Sequence, residues 1–348
     1  MAGLRGTTGA RVAIFGKARK RSELADQLRS ELVPREDLQL DPADDAYAAA
    51  LDAARAGDPA PVAAYLAELR GQRAWEQRSR AVDRITTIAV DAPLWVKRWA
   101  EGAPDDPDAQ LTYAALLIRL AWATRTTNAV QHVEGWRFGE FHEQLEGATP
   151  QIQRAVDLNP GDPEPWRLAM QQATGLEAPE EVFREHLARA RECDPVHYQS
   201  LEKGVNRLSA KWGGSHEKAF DLAEEAAGAA GGRAVQVLPL RAGFEMWIED
   251  EAAKKPLRPR VERALATAQA YADRFPDGAV EAAEARSLLG YMYAMLDRWQ
   301  ESYDAFRATG PVVSDMPWEY NVPAGKDNLD RFATFRDAVV VRLADASA

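Results

Sequence analysis

Short runs of proline, aspartate and glycine interrupt this sequence at intervals, and they constrain its fold more than any other feature. "APDDPDAQ" begins at Ala103, "LNPGDPEPW" at Leu158, "CDPVHY" at Cys193 and "FPDGAVEA" at Phe275. Proline suits the first turn of a helix, where its missing N–H costs nothing. Aspartate supplies an acceptor for the unpaired N–H groups of that turn. Each run therefore reads as the end of one helix and the start of another.

Between the runs, apolar residues recur every three or four positions, the spacing of amphipathic helices. A first helix is expected from about Ser22 to Val33. A second follows Asp44, with Tyr47, Leu51 and Ala54 on one stripe. Gly57-Asp58-Pro59 ends it, and the next carries Val62, Tyr65, Leu66 and Leu69. Others are expected over about Ala74 to Ile88, after Pro93 with Leu94, Trp95 and Trp99, and from Asp327 to Leu343. Alanine, leucine, glutamate and arginine, all good helix formers, dominate the composition. Isoleucine, valine and threonine are sparse and rarely alternate with polar residues. The fold class expected is all-α.

Asn159-Pro160 and Asp194-Pro195 stand about 35 residues apart, close to the ~34-residue period of tetratricopeptide repeats. From Ala283 the chain reads "AEARSLLGYMYAMLDRWQESYDAFRATG". This resembles a tetratricopeptide helix pair: Leu289-Gly290 and Tyr293 fall in its first helix, Ser302 at the close crossing, and Phe306 at the aromatic four residues on. Asp162 to Pro195 is similar, with Trp166 and Pro195 in place but Ala169-Met170 where Leu-Gly would stand. Residues 107 to 127 resemble a further first helix, with an insertion around 128 to 140. The wider pattern, from "GWRFGEFHEQL" through "DPEPW" to "KWGGS", also resembles an uncharacterised family of bacterial tetratricopeptide-like proteins. That resemblance implies a fold and no reaction.

The resemblance implies a right-handed superhelical solenoid of antiparallel helix pairs, whose stacked neighbours share one core. It also implies a concave groove lined by first helices, with Arg167, Gln171, Ser287 and Tyr291 facing it. The expected organisation is a basic, unstructured tail over 1–21, a helical region over 22–105, and repeats over 106–348 with a C-terminal capping helix.

With 348 residues, the chain exceeds the size at which one core stops growing, so two units or one elongated body are expected. The net charge of −11 argues against nucleic acid, which needs clustered cations. Only the start, with Arg5, Arg11, Lys17, Arg19, Lys20 and Arg21, is basic. The apolar run Val12 to Phe15 is too short for a secretory signal, and no run suits a membrane span. The single cysteine, Cys193, has no partner for an internal disulfide. A cytoplasmic location is expected.

Few residues suggest chemistry. Within "SAKWGGSHEKAFDLA" (209–223), Gly214-Ser215-His216 places a hydroxyl beside a base. A nucleophile elbow needs Gly-x-Ser-x-Gly on a strand-to-helix turn, which is missing here. A helix corner is the simpler reading: a left-handed glycine at 213 or 214, Ser215 as N-cap, and Trp212 packed in a seam between repeats. His132, Glu134, Glu140, His142 and Glu143 lack metal-ligand spacing. No catalytic residue, cofactor or metal is expected. The Pro/Gly-rich stretch Gly310 to Lys326 carries Trp318 and Tyr320; it reads as a cap over the last helices or as a partner-binding loop or groove plug. Together these readings point to a protein-interaction module binding a partner protein or peptide, through Arg167, Gln171, Ser287, Tyr291, Trp318 and Tyr320. Two other classes stay open: a hydrolase using Ser215 and His216, and an inhibitor or immunity partner of a toxic enzyme.

Overall fold

The computed structural model describes residues 7–40, 44–126, 135–229, 231–320 and 327–347. Among them there is no strand, only an isolated bridge between Gln39 and Val312. The helices are α1 (Thr7–Ser30), α2 (Asp45–Ala56), α3 (Pro59–Gly71), α4 (Trp75–Ala89), α5 (Leu94–Gly102), α6 (Pro107–Thr126), α7 (Gly135–Gly147), α8 (Thr149–Leu158) and α9 (Glu164–Gly175). They continue with α10 (Glu180–Cys193), α11 (Tyr198–Leu208), α12 (His216–Ala229), α13 (Leu238–Glu249), α14 (Glu251–Ala272), α15 (Ala283–Met295), α16 (Trp299–Thr309) and α17 (Asn328–Ser347). The protein is all-α.

The Asp-Pro runs do what their chemistry predicts, and with a shared geometry. In Asp58-Pro59, Asp106-Pro107, Asp162-Pro163 and Asp194-Pro195, the aspartate Oδ1 accepts from the N–H two residues on. The donors are Ala60, Asp108, Glu164 and Val196, at 3.0, 2.9, 2.9 and 3.1 Å. Gly57, at φ 73°, closes α2 just before the first of these corners. The run at Phe275 is built differently: Gly278 donates to the Ala308 carbonyl at 2.9 Å, and Arg286 gathers the carbonyls of Ala272, Phe275, Pro276 and Ala308.

The chain divides into two units, residues 43–238 and residues 1–42 together with 239–348. In the 43–238 unit one core joins Leu66 of α3, Val82 and Ile85 of α4, Leu111 and Ile118 of α6, Phe141 of α7 and Leu168 of α9. In the other unit, Leu32 and Leu38 share a core with Phe306 of α16, Val313 and Trp318 of the following loop, and Phe332 and Val340 of α17. Residues 24–40 therefore belong with the C-terminal helices. Tyr303 donates to the Leu28 carbonyl, and Arg336 to that of Val33.

One expectation needs correction. The basic segment before Ser22 was read as unstructured, yet α1 is helical from Thr7. No proline occurs between Thr7 and Val33, and a run of cations weakens a helix without breaking it.

The helix crossings explain the small residues. In α15, Gly290 faces the ring of Phe306, which a Cβ there would meet at 2.6 Å. Ser302 of α16 donates to the Gly290 carbonyl at 2.6 Å. Gly204 plays a similar part in α11, between Leu187 of α10 and Leu222 of α12. Gly139 of α7, by contrast, has open space where a Cβ would go. Gly290→Ala should therefore destabilise by about 1–3 kcal/mol through overpacking. Gly139→Ala should stabilise by up to about 1 kcal/mol through helix propensity. Urea unfolding of both variants checks the contrast, and equal effects would contradict it.

Candidate functional site

The stretch 209–216 folds as a helix corner. Gly213 sits at φ 80° after a short turn of 3-10 helix. Gly214 donates to the Ser209 carbonyl at 3.0 Å and Ser215 to that of Leu208 at 2.9 Å. A Cβ at Gly214 would lie 2.0 Å from the Leu208 oxygen, so only glycine fits. Ser215 Oγ accepts from the Lys218 N–H at 3.2 Å, as an N-cap does. Trp212 donates to Asn206 Oδ1 at 2.9 Å and meets Trp122 edge-on at 6.2 Å. Of the residues weighed for metal binding, His132 and Glu134 lie outside the described residues. No cluster of three potential ligands occurs among those described.

Within the 43–238 unit, the densest assembly of chemical groups lies where α4 crosses the starts of α6, α9 and α11. Arg78 of α4 is fully buried. Its Nη2 lies 2.9 Å from Asp108 Oδ1 and 3.1 Å from Asp162 Oδ2. Its Nε also donates to Asp162 at 3.2 Å. Arg70 adds bonds to Asp108 at 3.2 Å. Arg233 holds both oxygens of Asp194 at 2.8 Å and reaches Glu76 of α4 at 2.9 Å. Asp162 and Asp194 are corner aspartates, each using one oxygen on its own helix start, and Asp108 opens α6 two residues after its corner. Burial pushes the Asp108 carboxyl up, against the pull of Arg78 and Arg70.

Arg167 lies inside this assembly, which corrects its expected exposure. It is 3% exposed. It pairs with Glu164 one turn earlier and with Asp83 of α4 at 2.8 Å. Burial opposes its charge, but Asp83 and Glu164 outweigh that and raise its pKa. Burial likewise raises Glu164 despite Arg167, whereas Arg167 and Arg119 together overcome burial at Asp83 and lower it. Gln171, one turn further along α9, is half-buried.

A chain of bonds runs on from Glu164. Ser79 of α4 donates to Glu164 Oε2 at 2.5 Å and lies 3.1 Å from His197 Nε2. His197 Nδ1 lies 2.8 Å from Ser200 Oγ. With Ser79 donating to the carboxylate, its oxygen accepts from Nε2–H, and Nδ1 then accepts from Ser200. His197 is neutral in this arrangement. Burial lowers its pKa to about 3, and the nearby Arg167 charge adds to the effect. Ser79, Glu164, His197 and Ser200 are all 0–1% exposed. The hydroxyls and imidazole therefore hold helices together and present no face to a substrate.

The remaining candidates lie in the other unit, around α15. Ser287 is buried, at 0% exposed, which corrects its expected place on an open groove; Trp318 is buried too, at 3% exposed, and Tyr291 and Tyr320 are half-buried. After α16 the chain forms a strap, Pro311 to Tyr320. Gln39 pairs with it, donating to the Pro311 carbonyl and accepting from Val313, both at 2.9 Å. Trp318 meets Tyr291 at 6.1 Å, Phe332 at 5.4 Å and Phe335 at 5.6 Å. Tyr291 also stacks on Phe335 at 4.8 Å and meets Phe244 of α13 edge-on at 5.2 Å. Tyr320 meets Phe244 at 5.6 Å and hydrogen-bonds Glu249. Residues 321–326 of the expected loop lie outside the described residues. Ser287 Oγ and Trp318 Nε1 are buried without a hydrogen-bond partner.

No protein-family model matches this chain, and no curated protein matches it. No described helix is long and apolar enough to cross a membrane.

Two predictions follow from the buried assembly. Arg78→Met leaves Asp108 and Asp162 buried beside an apolar side chain and should cost about 3–5 kcal/mol; chemical denaturation measures this, and a loss below 1 kcal/mol would contradict it. The second concerns acid. Unfolded His197 takes up a proton near pH 6.5, but the folded residue stays neutral to about pH 3. Between these values the unfolded state binds the extra proton, so stability contributed by this group is full above 6.5 and falls as pH falls. At about 1.4 kcal/mol per unit, going from about pH 7.5 to about pH 5 should cost the parent protein about 2 kcal/mol more than His197→Gln. Equal acid sensitivity of the two proteins would contradict the buried neutral imidazole.

Proposed function

We propose that this chain is a non-catalytic protein-interaction module, an adaptor, regulator or assembly factor. In this reading its helix pairs are tetratricopeptide-like and stack as a right-handed superhelical solenoid. The Gly290–Ser302–Phe306 crossing supports that repeat character, since it places a small pair and an aromatic where such a helix pair needs them. The partner contributes an extended segment, which docks on the face of α15 that carries Ser287 and Tyr291.

One observation carries the choice of this face. The strap already lies on it as an inserted segment would, with Trp318 against Tyr291, yet Ser287 Oγ and Trp318 Nε1 are left buried and unpaired. Unpaired buried polar groups are costly, so the strap is an imperfect occupant. A partner segment with an aromatic anchor and a backbone group for Ser287 would do better. The face around Arg167 is a poorer choice, because α4 closes it with a buried charge assembly, in which Arg78 pairs with Asp108 and Asp162 and Arg167 with Asp83.

The test uses the full chain with Asp315–Tyr320 replaced by a Gly/Ser linker, and a labelled synthetic peptide of residues 310–320 added in trans. The replaced chain should keep its helical circular dichroism and bind the peptide with micromolar affinity. Tyr291→Ala in that background should weaken binding at least tenfold. A replaced chain that unfolds would show the strap to be inseparable core, and one that folds but ignores the peptide would show no receptive face; either result overturns the reading.

A further inference from the structure

The first half of α14 is built against ordinary helix economy. Residues 251–263 read EAAKKPLRPRVER, with five cations against two carboxylates in a chain of net charge −11. These cations crowd the N-terminal half of the helix, the end whose dipole repels them. Pro256 and Pro259 stand inside the helix. Each removes a donor, so the carbonyls of Ala252 and Lys255 receive no helical hydrogen bond. Both of those residues are exposed. Sequence choices that oppose local stability concentrate at places that serve something else.

The arrangement of the side chains indicates what that is. Leu257, Val261, Ala264 and Leu265 form the buried stripe. Lys255, Pro256, Arg258 and Pro259 are exposed on the opposite side. Trp247 of α13 lies beside them, half-buried, with the Lys254 ammonium 5.1 Å and the Arg258 guanidinium 5.8 Å from its ring centre. Lys254 also pairs with Glu251, and Arg258 with Glu262. Lys255 has no ion-pair partner among the described residues. The result is a short cationic strip with an aromatic edge and two rigid proline rings.

We propose that this strip docks a short acidic peptide segment of a partner protein. Carboxylates would meet Lys255 and Arg258, while Trp247 and the prolines would supply apolar contact. From Lys254 to Pro259 the strip spans about 8 Å along the helix, the reach of two or three extended residues. That length suits a peptide. A nucleic acid or an anionic bilayer would carry its charge well past the strip, over a chain whose remainder is more acidic than the whole. The proposal rests on the reading of the chain as an interaction module, but on a different surface from the strap.

The experiment follows fluorescence anisotropy of a labelled ten-residue peptide of Glu and Asp, titrated with the full chain at about 50 mM and about 300 mM salt. Binding is expected at low salt and should weaken at least tenfold at high salt. The double variant Lys255→Glu, Arg258→Glu should weaken it at least tenfold at low salt, and Trp247→Ala several-fold, with unchanged melting curves for the surface pair. Arg189→Glu, on α10, should leave it unchanged. No binding at low salt, or binding that the double variant leaves intact, overturns the proposal. So does tighter binding of a twenty-base single-stranded DNA or of phosphatidylserine vesicles. The strap-exchange result is independent of all these outcomes, so failure of either idea can be told from failure of the other.

Discussion

A single buried guanidinium organises the 43–238 unit. Arg78 sits between Asp108 and Asp162, out of reach of water. A charge so placed is tolerable only with partners in place, because desolvation alone would cost several kcal/mol. Those partners stand at the starts of α6 and α9, and Asp162 also caps its own helix. The same bond therefore fixes α4 and fixes the helix starts it crosses. Arg233 repeats the device at α11, joining the corner aspartate Asp194 to Glu76 of α4. Helix capping and tertiary packing, usually separable, share atoms here.

This sharing decides what happens to the first helices. α6, α9 and α11 turn a common polar face toward α4, and α4 answers it group by group: Arg78 to aspartates, Asp83 to Arg167, and Ser79 to Glu164 and His197. Around α15 the covering element is the strap, and the contact is aromatic. In each unit the face that repeat logic would offer to a partner carries a piece of the same chain. One cover is ionic and centred on the buried Arg78, and the other is a stack of rings.

The parts legible in the sequence were those governed by neighbours along the chain. Asp-Pro corners, the Gly213-Gly214-Ser215 turn and the Gly290–Ser302 crossing each depend on residues within a helix or two, and residue type alone identifies them. Trp212 was expected in a seam between repeats; its ring partner, Trp122, lies 90 residues away, beyond what local pattern can indicate. Burial of Arg167 was not legible. An arginine on a helix face normally signals solvent, and Asp83, which joins Glu164 in making its burial tolerable, stands 84 residues distant. Charge likewise misled at the start of α1, where cations suggested an unstructured segment, although a run of cations alone does not break a helix that continues into the packed residues after Ser22. His197 and Ser79 gave no sign of their contact, since neither stands in a recognisable spacing.

The two covers differ in how they could yield. Lifting α4 would part Arg78 from Asp108 and Asp162, and Asp83 from Arg167, at once, and a partly opened state would keep buried charges short of partners. Such an interface opens completely or stays shut. The strap carries no buried charge at its centre. Withdrawing Trp318 exposes apolar area, which an incoming aromatic side chain restores, and no ion is stranded on the way. Exchange of one segment for another is therefore physically easier around Tyr291 than around Arg167. Each cover leaves buried polar atoms without hydrogen bonds, Arg78 Nη1 in one and Ser287 Oγ and Trp318 Nε1 in the other, so the uncharged character of the strap contact is what makes it the easier one to exchange.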